Sequence, residues 1–366
     1  MSEVVSPTGD ESPSLPVLPD ELILKILLRV PVRSLLQFKC VCKSWNALIS
    51  DPQFANDHLC TSIADPNMTH QRLVSSTSSK PCKIVSFSVQ SLFQNPSTGA
   101  EPQILQMSLK YHIVGSCNGL LCLFEIYQGY FKLWNPSTGL KSKRLSIGVF
   151  PDVIITYHGF GYDHVNHKYK LLAVVEDVHE TLTKIYSFGS NSCTVIQTFP
   201  CDPTRMQGKF VSGTLNWIAK GGVSDDQWVI LSLDMANETY SEMVLPDEED
   251  EKICSPVLHV LCNSICVCFF DSKSAHWIVW LMKEYGAQDS WTKLMMVPHI
   301  GREISAGYPL FEPLCISENG VVLLKTTSAK LVLYNSNDSR LDYLSTRGEL
   351  GFNMHIFLES LVSPQL

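Results

Sequence analysis

The chain has 366 residues, 45% of them hydrophobic and 17% charged, with a formal net charge of -8. That length and apolar content suffice for one small and one large globular unit. The negative balance excludes the broad phosphate-neutralising surface on which nucleic-acid affinity rests, so no nucleic acid is expected as a partner.

No stretch reaches the ~20 consecutive apolar residues that span a bilayer. The opening MSEVVSPTGDESPSLP is acidic and polar where a secretory signal is basic and then apolar. No membrane partner is therefore expected, and the reading places the protein in the cytoplasm, the nucleus or both. The thirteen cysteines then read as reduced, mostly buried thiols and not as a disulfide framework. The sequons at Asn67, Asn237 and Asn337 lose their meaning for the same reason.

Residues 1–14 are rich in Ser, Pro and acidic groups and are expected to be disordered. Structure is expected from Leu18. Pro19 suits a first helical turn, and Asp20 and Glu21 favour the positive end of the helix dipole. Leu22, Ile23, Ile26, Leu27 and Val30 recur at helical spacing until Pro31 breaks the pattern. A second short helix is predicted over Val32–Lys39, with Val32, Leu35 and Leu36 on one side. A third is predicted over Val41–Ser50, presenting Val41, Trp45, Leu48 and Ile49, and Asp51-Pro52 can start a further turn.

Between residues 18 and 45, sixteen of twenty-eight residues are apolar. Three helices this short rarely hold together alone, and leucines on more than one face leave apolar surface uncovered after they pack. That surface docks either onto the rest of the chain or onto a partner. A DNA-reading helix-turn-helix needs more exposed basic groups than Arg33, Lys39 and Lys43 supply.

Leu18-Pro19, Glu21-Leu22, Ile26-Leu27, Pro31-Val32, Leu35-Leu36 and Val41-Cys42-Lys43-Ser44-Trp45 resemble the F-box motif over about forty residues. The resemblance implies a three-helix module spanning 15–60 that inserts an apolar face into the Skp-type adaptor, and through it joins the cullin of a ubiquitin ligase. The residues it assigns to that contact are Leu18, Pro19, Leu22, Ile26, Leu27, Pro31, Val32, Leu35, Leu36, Val41, Cys42 and Trp45. Fully burying a Leu or Ile is worth roughly 1.5–3 kcal/mol, so several such residues offset the cost of association.

Residues 61–82 turn polar, with Ser75-Ser76-Thr77-Ser78-Ser79 as their most flexible part, and read as a linker plus a loosely held edge. Beyond them one unit recurs, as in FKLWNPSTGLKSKRLSI from Phe131, VILSLDMANETYSEMVLP from Val229 and KLVLYNSNDSRLDYLST from Lys330. Each is an apolar strand, a polar turn and a second strand. Asn135, Phe188, Asp234, Met282 and Asn335 stand at equivalent places near the turn, at spacings of 53, 46, 48 and 53. With a further strand pair before each unit, a period near fifty predicts four-stranded repeats, the pattern of a β-propeller. Five repeats run from about 111 to 346. The strands Lys83–Phe93 and Gln103–Leu109, joined by the apolar tail Phe352–Leu358, would make a sixth blade and fasten the ring. The expected fold class is thus mainly β with a small all-α N-terminal module, a β-sandwich being the alternative.

The large unit, 83–366, is also similar to the plant F-box-associated domain of the F-box/kelch-repeat type. The match rests on Gly115-Ser116-Cys117-Asn118-Gly119-Leu120, Trp134-Asn135-Pro136-Ser137-Thr138-Gly139, Gly159-Phe160-Gly161-Tyr162-Asp163, Met282-Lys283-Glu284-Tyr285-Gly286, Ser290-Trp291-Thr292-Lys293-Leu294 and Glu359-Ser360-Leu361-Val362-Ser363-Pro364. Leu215-Asn216-Trp217 departs from the pattern, which has His before Trp. The paired glycines of true kelch repeats occur only as Gly221-Gly222.

Other constellations carry less. Gly115-Ser116-Cys117-Asn118-Gly119 has the outline of a nucleophile elbow, but a strand follows it where an elbow needs a helix, and Asn-Gly marks a hairpin turn. Cys262, Cys266 and Cys268 fall on one face of a single extended strand and read as core thiols, since no second ligand pair stands at zinc spacing. His164 and His167 read as solvated turn residues, Lys141-Ser142-Lys143-Arg144 as a solvated strand edge, and the acidic run Asp247–Glu251 as a loop between blades. No catalytic residue, metal or cofactor is expected. The leading expectation is a substrate receptor of a Skp-cullin-F-box ubiquitin ligase whose β domain holds an unidentified protein target. The alternatives are a non-degradative scaffold and, on fold alone, a propeller hydrolase using Cys117.

Overall fold

The computed structural model describes residues 18–77, 83–96, 101–105, 111–125, 128–147, 154–176, 180–190, 192–221, 227–246, 256–271, 273–298, 311–346 and 350–365. The acidic amino terminus, the run Asp247–Glu251 and Gly222 lie outside them.

Four helices come first: α1 (Asp20–Leu27), α2 (Val32–Phe38), α3 (Lys43–Ser50) and α4 (Pro52–Ile63). Pro19 and Pro31 each stand just before a helix, where a missing N–H costs nothing. The turn expected at Asp51-Pro52 grows into the longest of the four. The Asp51 side chain accepts a hydrogen bond from Gln53 N at 2.7 Å, and Pro52 takes the first turn.

The strands follow in order. β1 (Gln71–Thr77), β2 (Ile84–Ser88), the short helix α5 (Val89–Gln94) and β3 (Gln103–Leu105) come before any full repeat. The second blade holds β4 (Tyr111–Cys117), β5 (Leu120–Glu125), β6 (Tyr130–Trp134) and β7 (Leu145–Ser146). The third holds β8 (Ile154–Asp163), β9 (Lys168–Glu176), β10 (Thr181–Ser187) and β11 (Ser192–Ile196). The fourth holds β12 (Asp202–Pro203), β13 (Lys209–Val211), β14 (Thr214–Lys220), β15 (Trp228–Asp234) and β16 (Tyr240–Val244). The fifth holds β17 (Val257–Leu261), β18 (Ser264–Asp271), β19 (His276–Met282) and β20 (Trp291–Pro298). The sixth holds β21 (Phe311–Ile316), β22 (Val321–Thr326), β23 (Leu331–Asn335) and β24 (Arg340–Tyr343), and β25 (Leu350–Leu358) ends the series.

These strands form six antiparallel sheets, and β25 joins the first in the order β25-β1-β2-β3. Neighbouring innermost strands touch in a closed circuit, β25 to β4, β8, β13, β17, β21 and back to β25. The protein is a six-bladed β-propeller with a helical module at its amino end. The turn residues at the fifty-residue period fall as expected, each directly after or at the end of the third strand of its blade.

The first blade corrects the linker expected at 61–82. Residues 71–77 are β1, which pairs with both β2 and β25. The segment read as polar because five of its seven residues are, yet Leu73, Val74 and Ser75 are all fully buried. Ser75 Oγ meets its hydrogen-bonding need at the carbonyls of Ser76 and Gly351, 3.0 and 3.3 Å away. The two faces of this sheet pack on neighbouring blades, Leu73 toward blade six and Val74 toward blade two, so even serine there is interior, and no alternation survives to mark it. The strand expected over 83–93 is likewise shorter: it ends at Ser88, whose hydroxyl caps α5.

Two glycines show why the motifs take their form. Asn118-Gly119 turns β4 into β5 with both residues at positive φ, 51° and 79°. A Cβ on Gly119 would press on Ser360 Oγ and stand 2.7 Å from the Leu358 carbonyl oxygen. In β8, a Cβ on Gly159 would lie 2.7 Å from Leu215 Cδ1, so blade three packs on blade four only where that side chain is absent. Asn216, where the family pattern has His, is fully buried and accepts bonds from Ser232 Oγ at 2.6 Å and Tyr285 Oη at 2.9 Å, while its amide reaches Lys209 O at 3.2 Å. The departure keeps a buried polar hub fully partnered.

Candidate functional site: two poles of the ring

The helical module sits at the pole bearing the turns between first and second strands of each blade. Ile63, Pro66 and Met68 line one central cavity of about 700 Å³ together with Asn118, His164, Ser212, Cys262 and Ser317. The opposite pole carries the starts of the inner strands.

The structure divides the twelve expected docking residues. Leu27, Val32 and Leu35 are 2%, 1% and 0% exposed, and Leu27 and Leu35 form the module's own core with Ile49 and Phe54. Leu36 and Trp45 are half-buried, Trp45 against the Phe38 ring with centroids 5.5 Å apart. Pro19, Pro31 and Cys42 are exposed. Leu18, Leu22, Ile26 and Val41 are 54%, 45%, 53% and 63% exposed, large aliphatic groups only partly covered by the rest of the chain. Leu22 and Ile26 stand one helical turn apart on α1 and share a face. Helix geometry explains the split: a three-helix unit buries one stripe of each helix on its fellows and presents what remains.

At the opposite pole an apolar cavity of about 420 Å³ is lined by Ile113, Phe124, Phe131, Ile147, Ile155 and Met206, with His112, His158, Gln207 and Asn353 as its polar groups. Burial holds the His158 imidazole down at about 4, so it stays neutral. Gln207 Nε2 donates to Val114 O at 2.5 Å. The volume lies within the range of small-ligand and anchor-residue pockets.

Between the poles, charged groups lace the inner strands. Lys209 Nζ is 3.0 Å from Glu312 Oε1, Lys325 Nζ pairs with Oε2, and His259 Nδ1 is 3.7 Å from Oε1. Burial alone would raise the Glu312 carboxyl, but Lys209, His259 and Lys325 together hold it well below the usual carboxylate range. Farther out, Lys170 Nζ lies 2.9 Å from Asp163 Oδ2, 3.0 Å from Glu238 Oε1 and donates to Met235 O at 2.6 Å, tying blade three to blade four. Such ion-paired networks brace a ring.

Among the described residues, the side chains weighed from the sequence lie in structural settings. Cys117 is buried at the end of β4, in a hairpin and not an elbow, and burial pushes its thiol far up. Cys266 and Cys268 are fully buried between blades five and six. Cys262 corrects the expectation of a shared face: it stands at positive φ in the turn between β17 and β18, where strand alternation has ended. His164 and His167 are exposed in the turn after β8. Among the described residues, no group of three or more His, Cys, Asp or Glu could hold a metal ion, and no helix is long and apolar enough to cross a membrane.

A helical module keeps aliphatic side chains exposed at one pole of a ring whose other pole opens into an apolar cavity, which gives the molecule two candidate binding surfaces. Comparison with known families gives the class its name. Residues 75–362 match the F-box associated beta propeller domain and residues 15–57 the F-box domain. The chain belongs to the F-box proteins with an F-box associated β-propeller, whose members are typically non-catalytic adaptors.

Among its relatives is the F-box/kelch-repeat protein At3g23880 of Arabidopsis thaliana, 34% identical over 367 residues, covering 95% of this chain and 96% of that one. The F-box/WD-40 repeat-containing protein 1 of the same plant is 28% identical, covering 78% of this chain and 70% of its own length. Among solved structures, TolB from Acinetobacter baumannii aligns with a TM-score of 0.49 at 11% identity, over 84% of this chain and 72% of that one. That likeness is too slight to bear on function.

Sequence reasoning named the carboxyl-terminal Glu359-Ser360-Leu361-Val362 only as a family motif. It named Asn135 only as a turn position and part of a family motif and left Lys170 unread; the partners of both lie far away in sequence.

Proposed function

We propose that the protein is a substrate-recognition subunit of a Skp-cullin-F-box ubiquitin ligase. The observation that carries this is the set of half-exposed aliphatic groups Leu18, Leu22, Ile26 and Val41 on the F-box helices. Left in water they are a cost; covered by an apolar adaptor groove they supply the binding energy. The adaptor then bridges to the cullin. Because the helices occupy one pole, the opposite pole, with its apolar cavity, is the surface left for a protein target. The chain contributes positioning, and bond chemistry belongs to other subunits. This reading places the protein in the cytoplasm or nucleus.

The test is affinity capture from cells under proteasome inhibition, with the intact protein and a form lacking residues 15–60. Adaptor and cullin should accompany only the intact form, and a target should accompany both. Equal adaptor recovery by both forms rejects the proposal. A target whose abundance ignores both proteasome inhibition and loss of the F-box shows a non-degradative scaffold instead.

A further inference from the structure

The last residues of the chain return to the helices. After β25 closes the first blade, the backbone crosses the pole that carries the F-box. Glu359 N donates to His70 O at 2.8 Å, and the Glu359 carboxylate lies 3.5 Å from Arg72. Ser360 is fully buried; its Oγ donates to Asn118 O at 3.0 Å, and Asn135 Nδ2 donates to the carbonyls of Ser360 and Val362 at 2.9 and 2.8 Å. Val362 packs on the core shared by blades two and three. Leu361, between these anchors, turns the other way and packs with Leu27, Leu35, Ile49 and Phe54 in the core of the F-box.

Leu361 is thus separated from the module it completes by nearly the whole propeller in sequence. The covalent link from α4 to β1 is the short stretch 64–70, whose Met68 and His70 are buried against the ring. A side chain inserted from a segment clamped to the ring adds a second tie, distant in sequence, that acts directly on the core of the helices.

We propose that Glu359–Val362 is a strap that completes the F-box core and fixes its docking face in one orientation to the ring, with Leu361 as the positioning residue. The strap continues β25, whose pairing with β1 closes the ring. The docking face is therefore set only in a chain whose closing strand is in place. The consequence for ligase geometry rests on the receptor reading above; the strap itself does not.

The test uses the full-length protein in hydrogen exchange with mass spectrometry and small-angle scattering. In Leu361→Asp the amides of residues 20–63 should exchange about tenfold faster or more, with blade amides unchanged. Leu361→Met should match the parent. Asn135→Ala, which removes two of the strap's hydrogen bonds to the ring without touching the helices, should broaden the scattering-derived distance distribution while the helices stay protected. Parental exchange in the helices of Leu361→Asp overturns the proposal, as does blade exchange that rises in step with them. None of these readouts involves the adaptor, so failure of the parent to capture adaptor sinks the receptor reading alone.

Discussion

The sharpest consequence of the geometry is that the F-box motif contains two kinds of leucine. Leu22 and Ile26 are 45% and 53% exposed, so about half of each side chain's transfer free energy is still to be gained on docking. At roughly 1.5–3 kcal/mol for full burial, that is about 1 kcal/mol each. The double variant Leu22→Ala/Ile26→Ala should lose about 2 kcal/mol, roughly a thirtyfold rise in Kd for a purified Skp adaptor, with the four helices still folded. Leu35 has nothing left to gain at 0% exposure. Leu35→Ala should instead cost the module about 2–5 kcal/mol of stability, read as lost amide protection in α1–α4 before any adaptor is added. Titration calorimetry and hydrogen exchange on the same samples separate the two. If the double variant binds within about threefold of the parent, the exposed face is not the docking surface and the reasoning fails.

Three further outcomes follow from the ring. Lys170→Met removes the cation from buried Asp163 and unties blade three from blade four; with Val165 N and Asn166 N still donating to Asp163, the cost should be about 3 kcal/mol and the fall in Tm roughly 4 °C by calorimetry, and a fall under roughly 1 °C contradicts the clamp. Burial holds His158 and His355 each at about 4, whereas the unfolded chain takes up those protons near pH ~6.5, so stability should fall as pH drops through that window, by up to about 1.4 kcal/mol per pH unit for each imidazole. Urea midpoints at neutral and mildly acidic pH should show this, and a His158→Gln/His355→Gln double variant that loses as much as the parent refutes the assignment. Iodoacetamide on the native protein should label exposed Cys40 and Cys42 while sparing buried Cys117, as peptide mapping will show; ready labelling of Cys117 would revive a nucleophilic role.

Much of this was legible without coordinates. Helical spacing with Pro19 and Pro31 set the first helices, and the recurrence of Asn135, Phe188, Asp234, Met282 and Asn335 near every fifty residues set the ring, because period and turn chemistry are local properties that a chain carries in its order. The tail from Phe352 to Leu358 was recognisable as the strand that fastens the circle. What local pattern cannot hold is the identity of the neighbour. Leu22 and Leu35 are both apolar residues at helical spacing, and only the packing of helices on one another leaves the first in water and the second in the core. Ser75 looks like a loop residue until a strand lies on each side of it. Leu361 looks like any apolar residue near a chain end until ring closure carries it back to α1 and α3, for burial is a sum over contacts between distant segments and exists only once the chain is folded.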